Sequence, residues 1–325
     1  MLNASPGSSC WPTSGLIRGD EEGRLYQTLT ADRLRRHFGF SDDYRVDAVL
    51  ASGTWDLLAE THHIPHLVTA LTDLGLGDIA AGRGPGGLRR IEIPQFGHAR
   101  EFTVDGRRLW FVPVMGTAVM AQYLHAASLM GATSIVLAGT VGGLSPQLRA
   151  ADFIVPTVAR GTHSAWMFHR IDPPDFPADP TLSASLLRRL RTADLGGSQI
   201  AQGPTTTCES ISAETWEDVQ EWSRQGYLGV EMEATLTFAV GAHFATSAAA
   251  VLFVADNLIA EVGFFDAAHA ESAAVRARAR QLQYDVALAE LLQPAAGGPS
   301  NEDDRRPQRV PYSDGRLPGL LHRCE

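Results

Sequence analysis

The sequence predicts an α/β fold: a single domain with three α/β/α layers around a central mixed, largely parallel sheet. Two observations carry this reading. Short apolar runs alternate with stretches of helical apolar spacing from about residue 46 to 292. Such alternation puts a largely parallel sheet under helices on both faces. The apolar runs are also closed by small or polar residues, as at Ser52-Gly53, Gly139-Thr140-Val141-Gly142-Gly143 and Asp256-Asn257. Ligands of parallel sheets bind at the carboxyl ends of strands, where Gly53, Thr140 and Asp256 fall.

In chain order, residues 46–51 (VDAVLA) form a short apolar strand. Residues 100–104 and 109–114 flank Asp105-Gly106, a strong hairpin signal. Residues 117–130 have helical spacing and stop at Gly131. Residues 134–138 read as a buried strand, and 139–143 as a glycine-rich turn in which the backbone approaches an anion or sugar closely. A strand follows at 153–158, with helices at 182–190 and 214–225. A longer helix is expected at 231–243, then an apolar strand at 248–255 and a long helix at 267–292. Residues 1–30 are rich in Ser, Gly and Pro, and 294–325 carry little apolar material; both read as disordered extensions of a domain spanning 31–293.

Composition narrows the function. The chain has 325 residues, enough for a full core, and 44% are hydrophobic. A net charge of -10 argues against a nucleic-acid binder. All 27 basic residues are Arg, which removes Schiff-base chemistry and a P-loop lysine. Three scattered cysteines (Cys10, Cys208, Cys324) point to a reducing compartment without a disulfide framework. The longest apolar run is too short for a bilayer, and the first residues lack signal-peptide character, so a cytoplasmic protein with no membrane partner is expected. In His62-His63-Ile64-Pro65-His66 the Pro breaks helical spacing and no Cys or Asp/Glu ligand set accompanies the histidines, so no metal is expected.

The chemistry concentrates in Gly229-Val230-Glu231-Met232-Glu233-Ala234 and in Asp256 at the end of an apolar strand. An ionised carboxylate in apolar surroundings needs a partner. A sugar with vicinal hydroxyls is a good one, because charge-assisted hydrogen bonds are strong. The competing reading places Glu231 and Glu233 on the solvent face of an amphipathic helix. For Asp256 the competing reading is a helix N-cap or a structural hydrogen bond.

Several of these motifs, taken in order, resemble the nucleoside phosphorylase superfamily. They are His37-Phe38-Gly39-Phe40, the strand ending at Gly53, His98-Ala99-Arg100-Glu101-Phe102-Thr103, Gly139-Thr140-x-Gly-Gly, Gly161-Thr162-His163 with Pro174-Asp175-Phe176-Pro177-Ala178-Asp179, and Val230-Glu231-Met232-Glu233-Ala234. The layout is most similar to uridine phosphorylases. The resemblance implies that Glu233 holds the ribose hydroxyls, with Met232 under the sugar and Glu231 beside it. It implies that His37 and Arg100 reach into a neighbouring subunit, toward the ribose 5′-hydroxyl and a phosphate. Gly53 and Thr140 would donate to that phosphate, and Asp256 would protonate the leaving base. A homo-oligomer, either a dimer or a trimer of dimers with shared active sites, follows, with a nucleoside as substrate and no cofactor beyond inorganic phosphate.

The departures are equally specific. Family phosphorylases carry an Arg shortly after the first Gly, but residues 54–58 (TWDLL) hold none. A second Arg is replaced by Leu137, leaving Arg89, Arg90 and Arg160 as substitutes. The uracil-reading pair is absent from residues 207–216, where Ser210 and Trp216 are the base-site candidates; Trp166, Phe168 and Trp216 are either base-stacking or core residues. The leading expectation is phosphorolysis to a free base and a pentose 1-phosphate. The alternatives are a hydrolytic nucleosidase and an inactive nucleoside-binding relative.

Overall fold

The computed structural model describes residues 30–53, 62–161, 175–260, 263 and 270–293. The expectations for both tails, for residues 54–58 and for His163, Trp166 and Phe168 fall outside these residues. The chain divides into two units, Met1–Tyr44 and Arg45–Glu325.

In the first unit, helix α1 (Ala31–Phe38) starts at Thr30, whose hydroxyl accepts from Arg33 N at 3.3 Å. It ends on Gly39 at φ 73°, a left-handed cap that suits glycine. Arg35 is buried and donates to the Tyr44 carbonyl (2.7 Å) and to Asp32 (3.1 Å). His37, in the last turn, is exposed and lies edge-on to Phe38.

Among the described residues the second unit holds ten strands: β1 (Ala48–Ser52), β2 (Arg89–Arg90), β3 (Arg100–Val104), β4 (Arg107–Pro113), β5 (Ser134–Gly143), β6 (Phe153–Arg160), β7 (Asp175–Pro177), β8 (Ile200–Thr207), β9 (Gly229–Glu231) and β10 (Ser247–Asn257). They form one sheet in the order β10-β6-β8-β9-β5-β1-β4-β3-β2, with β7 beside β6. An added β10–β5 pairing closes β5, β9, β8, β6 and β10 into a ring. The pairs β1–β4, β1–β5, β5–β10, β6–β8 and β8–β9 are parallel.

Helices α2 (His63–Asp73), α3 (Gly77–Ala80), α4 (Thr117–Leu129), α5 (Pro180–Thr192), α6 (Trp216–Arg224), α7 (Ala234–Phe244) and α8 (Ala273–Leu291) cover the sheet. Alternation along the strands assigns the faces. Leu50, Val136, Ala138, Val251 and Phe253 share one core with Leu67 of α2, Leu186 of α5 and Leu288 of α8. Ala248 points the other way, against α7. There a side chain on Gly241 would start 2.6 Å from the Ala248 Cβ, so the helix packs closely on β10. The three layers expected from the alternation of elements are present.

Three expectations are corrected. Residues 139–143 are not a turn but the continuation of β5, held by β10 along its whole length and by β9 at Gly142 and Gly143. Glycine permits this crowding, since a side chain on Gly229 would start 2.2 Å from Val141 Cγ2. Glu231 lies on a strand rather than opening the helix, which begins at Ala234. Pro65 does not break a helix but sits in the first turn of α2, where its missing N–H costs nothing. Among the described residues no helix is long and apolar enough to cross a membrane, and no cluster of metal-ligating side chains is found.

Candidate active site

The sheet itself creates the site. On one edge of β5, β1 pairs only as far as Leu137, while β9 pairs from Gly142 onward. Between them, among the described residues, the edge around Thr140 lacks a strand partner, and the chain ends of β1 and β9 face each other across that opening. Such a split at the carboxyl ends of parallel strands forms a crevice.

Glu233 fills one wall of this crevice. It is 5% exposed, and its Oε1 accepts from the Gly116 N–H at 2.6 Å. Gly116, at φ 82°, stands immediately before α4, so the carboxylate lies at a helix N-terminus that favours negative charge. The other oxygen abuts Gly53: a Cβ there would start 2.4 Å from Oε2. Gly53 is therefore required by close approach of the carboxylate rather than by backbone angle.

Glu231 is also 5% exposed and does different work. Its Oε2 accepts from the N–H groups of Glu233 (2.6 Å) and Ala234 (2.5 Å), capping α7. Its Oε1 accepts from the Thr207 hydroxyl, whose lone pairs in turn take the Thr235 N–H (3.1 Å) and hydroxyl (2.7 Å). The solvent-facing reading of this pair is thus overturned: both carboxylates are buried and bonded. Burial pushes Glu231 up to about 7, against its three hydrogen bonds. Burial and the charge on Glu231 push Glu233 up to about 8. Two carboxylates this close titrate as a pair. Glu231, with three donors, is the better holder of the charge, and Glu233 holds the proton near neutrality.

Asp256 stands on the far side of β5. The β10–β5 register shifts between Val254 and Asp256, so Asp256 aligns with Gly142, which pairs with Val230 on its other edge. Two strand spacings separate Asp256 from the β9 wall, about 9–10 Å of backbone. Asp256 is half-buried and supports the charge of Arg276 on α8, which burial depresses.

The remaining expected residues divide by place. Thr140 is half-buried in the stretch of β5 that pairs with β10 alone among the described residues. Met232 is half-buried between the two carboxylates in sequence. Arg100 is buried at the start of β3, opposite Phe111 of β4, two strands out from β1. Ser210 and Trp216 are exposed, the latter opening α6. Arg89 pairs with Glu101 (2.8 Å), Arg90 donates to the Gly97 carbonyl (2.5 Å) and Arg160 grips Asp175 (2.8 and 2.6 Å), so all three candidate substitutes are engaged elsewhere.

Sequence reasoning missed Gly116, Thr207, and the chain of Ser52, His63, Tyr284 and Arg280 lying behind Gly53. It also missed Glu209, which accepts from the hydroxyl of Thr117 (2.9 Å) beside Gly116. A glycine directly before the apolar helix at 117 was the readable sign for Gly116. Arg276, Arg280 and Tyr284, spaced by four on one helix face, were the sign for the others.

Comparison with known proteins agrees with this architecture. The model of the phosphorylase superfamily matches residues 88–289. A DeoD-type purine nucleoside phosphorylase of Clostridium novyi (strain NT) is 27% identical over 165 residues, covering 48% of this chain and 67% of the relative. A guanosine phosphorylase of Halorubrum lacusprofundi is 29% identical over 149 residues, covering 45% of this chain and only 59% of the relative. Among solved structures, uridine phosphorylase from Vibrio fischeri ES114 superposes with a TM-score of 0.61 at 16% identity, over 82% of this chain and 98% of that one. At that identity the likeness establishes the fold. The family match, by contrast, spans the strands and helices that carry Arg100, Thr140, Glu233 and Asp256, and the chain belongs to the phosphorylase superfamily.

Proposed function

We propose that this protein cleaves the N-glycosidic bond of a nucleoside by phosphorolysis, giving a free base and a pentose 1-phosphate. The observation that carries the reading is the buried Glu233 carboxyl, set between Gly53 and the N-terminus of α4 at the mouth of the crevice. As the C1′–N bond breaks, its electron pair leaves with the base and the sugar becomes cationic. A carboxylate on the ribose hydroxyls and an anionic phosphate oxygen attacking C1′ stabilise that cation. A proton from Asp256 quenches the charge on the departing base. The named phosphorylases among its relatives support the same reaction class.

In this reading Glu231 supports the site by capping α7, and Met232 lines the sugar. The base lies toward the loop carrying Glu209 and Ser210. The protein works as a homo-oligomer in which His37 and Arg100 complete a neighbour's site, and inorganic phosphate is the only co-substrate. Hydrolysis by water is the second reading, favoured by the buried Leu137 in place of a phosphate-binding Arg. Base release from a nucleoside panel, measured with and without phosphate, separates the two. Phosphorolysis requires phosphate-dependent release with pentose 1-phosphate as product; undiminished release in its absence makes the enzyme a hydrolase.

A further inference from the structure

We propose that Arg280 of α8 supplies the positive charge that holds the anionic nucleophile, inorganic phosphate, against Gly53 and Thr140. The inference rests on the phosphorolysis reading and deepens it. Phosphate needs cationic donors, and this chain presents Leu137, fully buried, where the family pattern has one. Arg89, Arg90 and Arg160 are committed to other partners.

Arg280 is placed differently. Its guanidinium lies over the Phe253 ring, 5.6 Å from the centroid. Phe253 is the register partner of Thr140. The alternation that puts Leu50, Val136 and Phe253 in one core puts Ser52 and Thr140 on the same face, the face covered by α2 and α8. Arg280 therefore stands over the carboxyl ends of β1 and β5, beside the split in the sheet.

A relay of buried donors fixes it there. Arg280 Nη1 is 3.2 Å from His63 Nε2. An arginine can only donate, so His63 Nε2 accepts and the ring hydrogen resides on Nδ1. That nitrogen is 2.7 Å from the Tyr284 hydroxyl, which lies 3.0 Å from Ser52 Oγ and donates to it. The relay ends on the residue immediately before Gly53. Every hydrogen along it is directed away from Arg280, so the guanidinium keeps its remaining N–H groups for another acceptor.

Among the described residues no carboxylate pairs with Arg280. Burial accordingly weakens its hold on its proton, and the like charge of Arg276 lies one turn away. A partly desolvated cation without an anion is costly. Thr140, on the same face of the sheet and in register with Phe253, is half-buried, and its hydroxyl has no protein partner among the described residues. A phosphate between Gly53, Thr140 and Arg280 satisfies all three.

The test is a phosphate titration of phosphorolysis by the full chain and its R280Q and R280K variants, with thermal shift by phosphate alone as the second readout. R280Q is expected to raise the phosphate KM by about 10- to 100-fold, the loss of a charge-assisted bond. Its nucleoside KM should stay within about threefold, and phosphate should no longer raise its melting temperature. R280K, which keeps the charge but not the fork, should fall between and covers the case in which R280Q does not fold. A phosphate-dependent wild type whose folded variants keep the phosphate KM overturns the role of Arg280 and leaves phosphorolysis standing. A wild type indifferent to phosphate overturns both.

Discussion

The two halves of the crevice are built differently. The half proposed to hold the sugar centres on a segment six residues long: Glu231 caps the helix that Glu233 precedes, and Glu233 reaches back to Gly53 and Gly116. The half proposed to hold the anion joins Ser52, His63, Tyr284 and Arg280, with His63 and Arg280 separated by 217 residues and Ser52 and Tyr284 by 232. Short-range chemistry leaves a motif in a sequence, whereas long-range chemistry leaves only isolated residues whose meaning depends on the topology.

The sharpest way to break this comparison is Glu233→Ala. Loss of the carboxylate removes two charge-assisted hydroxyl bonds, and kcat/KM should fall by about 10² to 10⁴. A near-normal value from steady-state kinetics removes Glu233 from the chemistry. Asp256→Asn comes next. It should slow nucleosides with poor leaving bases by about 10- to 100-fold or more and activated ones far less, whereas equal losses assign Asp256 a structural role. Gly53→Ala sharpens the packing argument. A methyl 2.4 Å from Glu233 Oε2 forces the carboxylate aside, and kcat/KM should drop by about tenfold without a matching loss of stability. Unchanged kinetics mean the carboxylate has room that the geometry denies.

Glu231→Gln separates support from chemistry. One amide oxygen retains part of the cap on α7, so stability in urea should fall by about 1–2 kcal/mol; the activity loss should be smaller than that of Glu233→Ala. A reversed order means Glu231 is the sugar ligand. A further effect is in pH. The carboxylates titrate at about 7 and 8, above the ordinary range. Stability due to their neutral forms is fully present below the ordinary glutamate value and is lost as pH rises through 7 to 8. The urea midpoint should therefore decline from the ordinary glutamate value up to about 8, while kcat/KM rises as Glu233 ionises. Glu233→Gln should flatten both slopes; a profile that survives it has another origin.

Much of the fold was legible because it follows local rules. Asp105-Gly106 gave the β3–β4 hairpin, with both residues at positive φ. Gly131 ended α4 in a left-handed turn. Apolar runs located β1, β5, β6 and β10. Strands β8 and β9 were missed for identifiable reasons. In β8, IAQGPTTT lacks an apolar run because Gly203 must admit Leu228, and its threonines are buried, with Thr207 serving Glu231. In β9, three residues are too few for a period. The extension of β5 through Gly143 was hidden because glycines in a strand look like a turn until a close neighbour requires them. The carboxylate pair was visible in the sequence, but its division of labour, one cap and one site residue, depended on where α4 and α7 begin.

A cycle that deletes both Glu233 and one substrate hydroxyl tests the account most directly. The wild type and Glu233→Ala are each assayed for kcat/KM on a ribonucleoside and on its 3′-deoxy analogue. If the buried carboxylate clamps the sugar, the wild type should prefer the ribonucleoside by at least about tenfold and the variant should show almost no preference. Equal discrimination by both proteins, or no base released from any nucleoside by the wild type, contradicts the assignment.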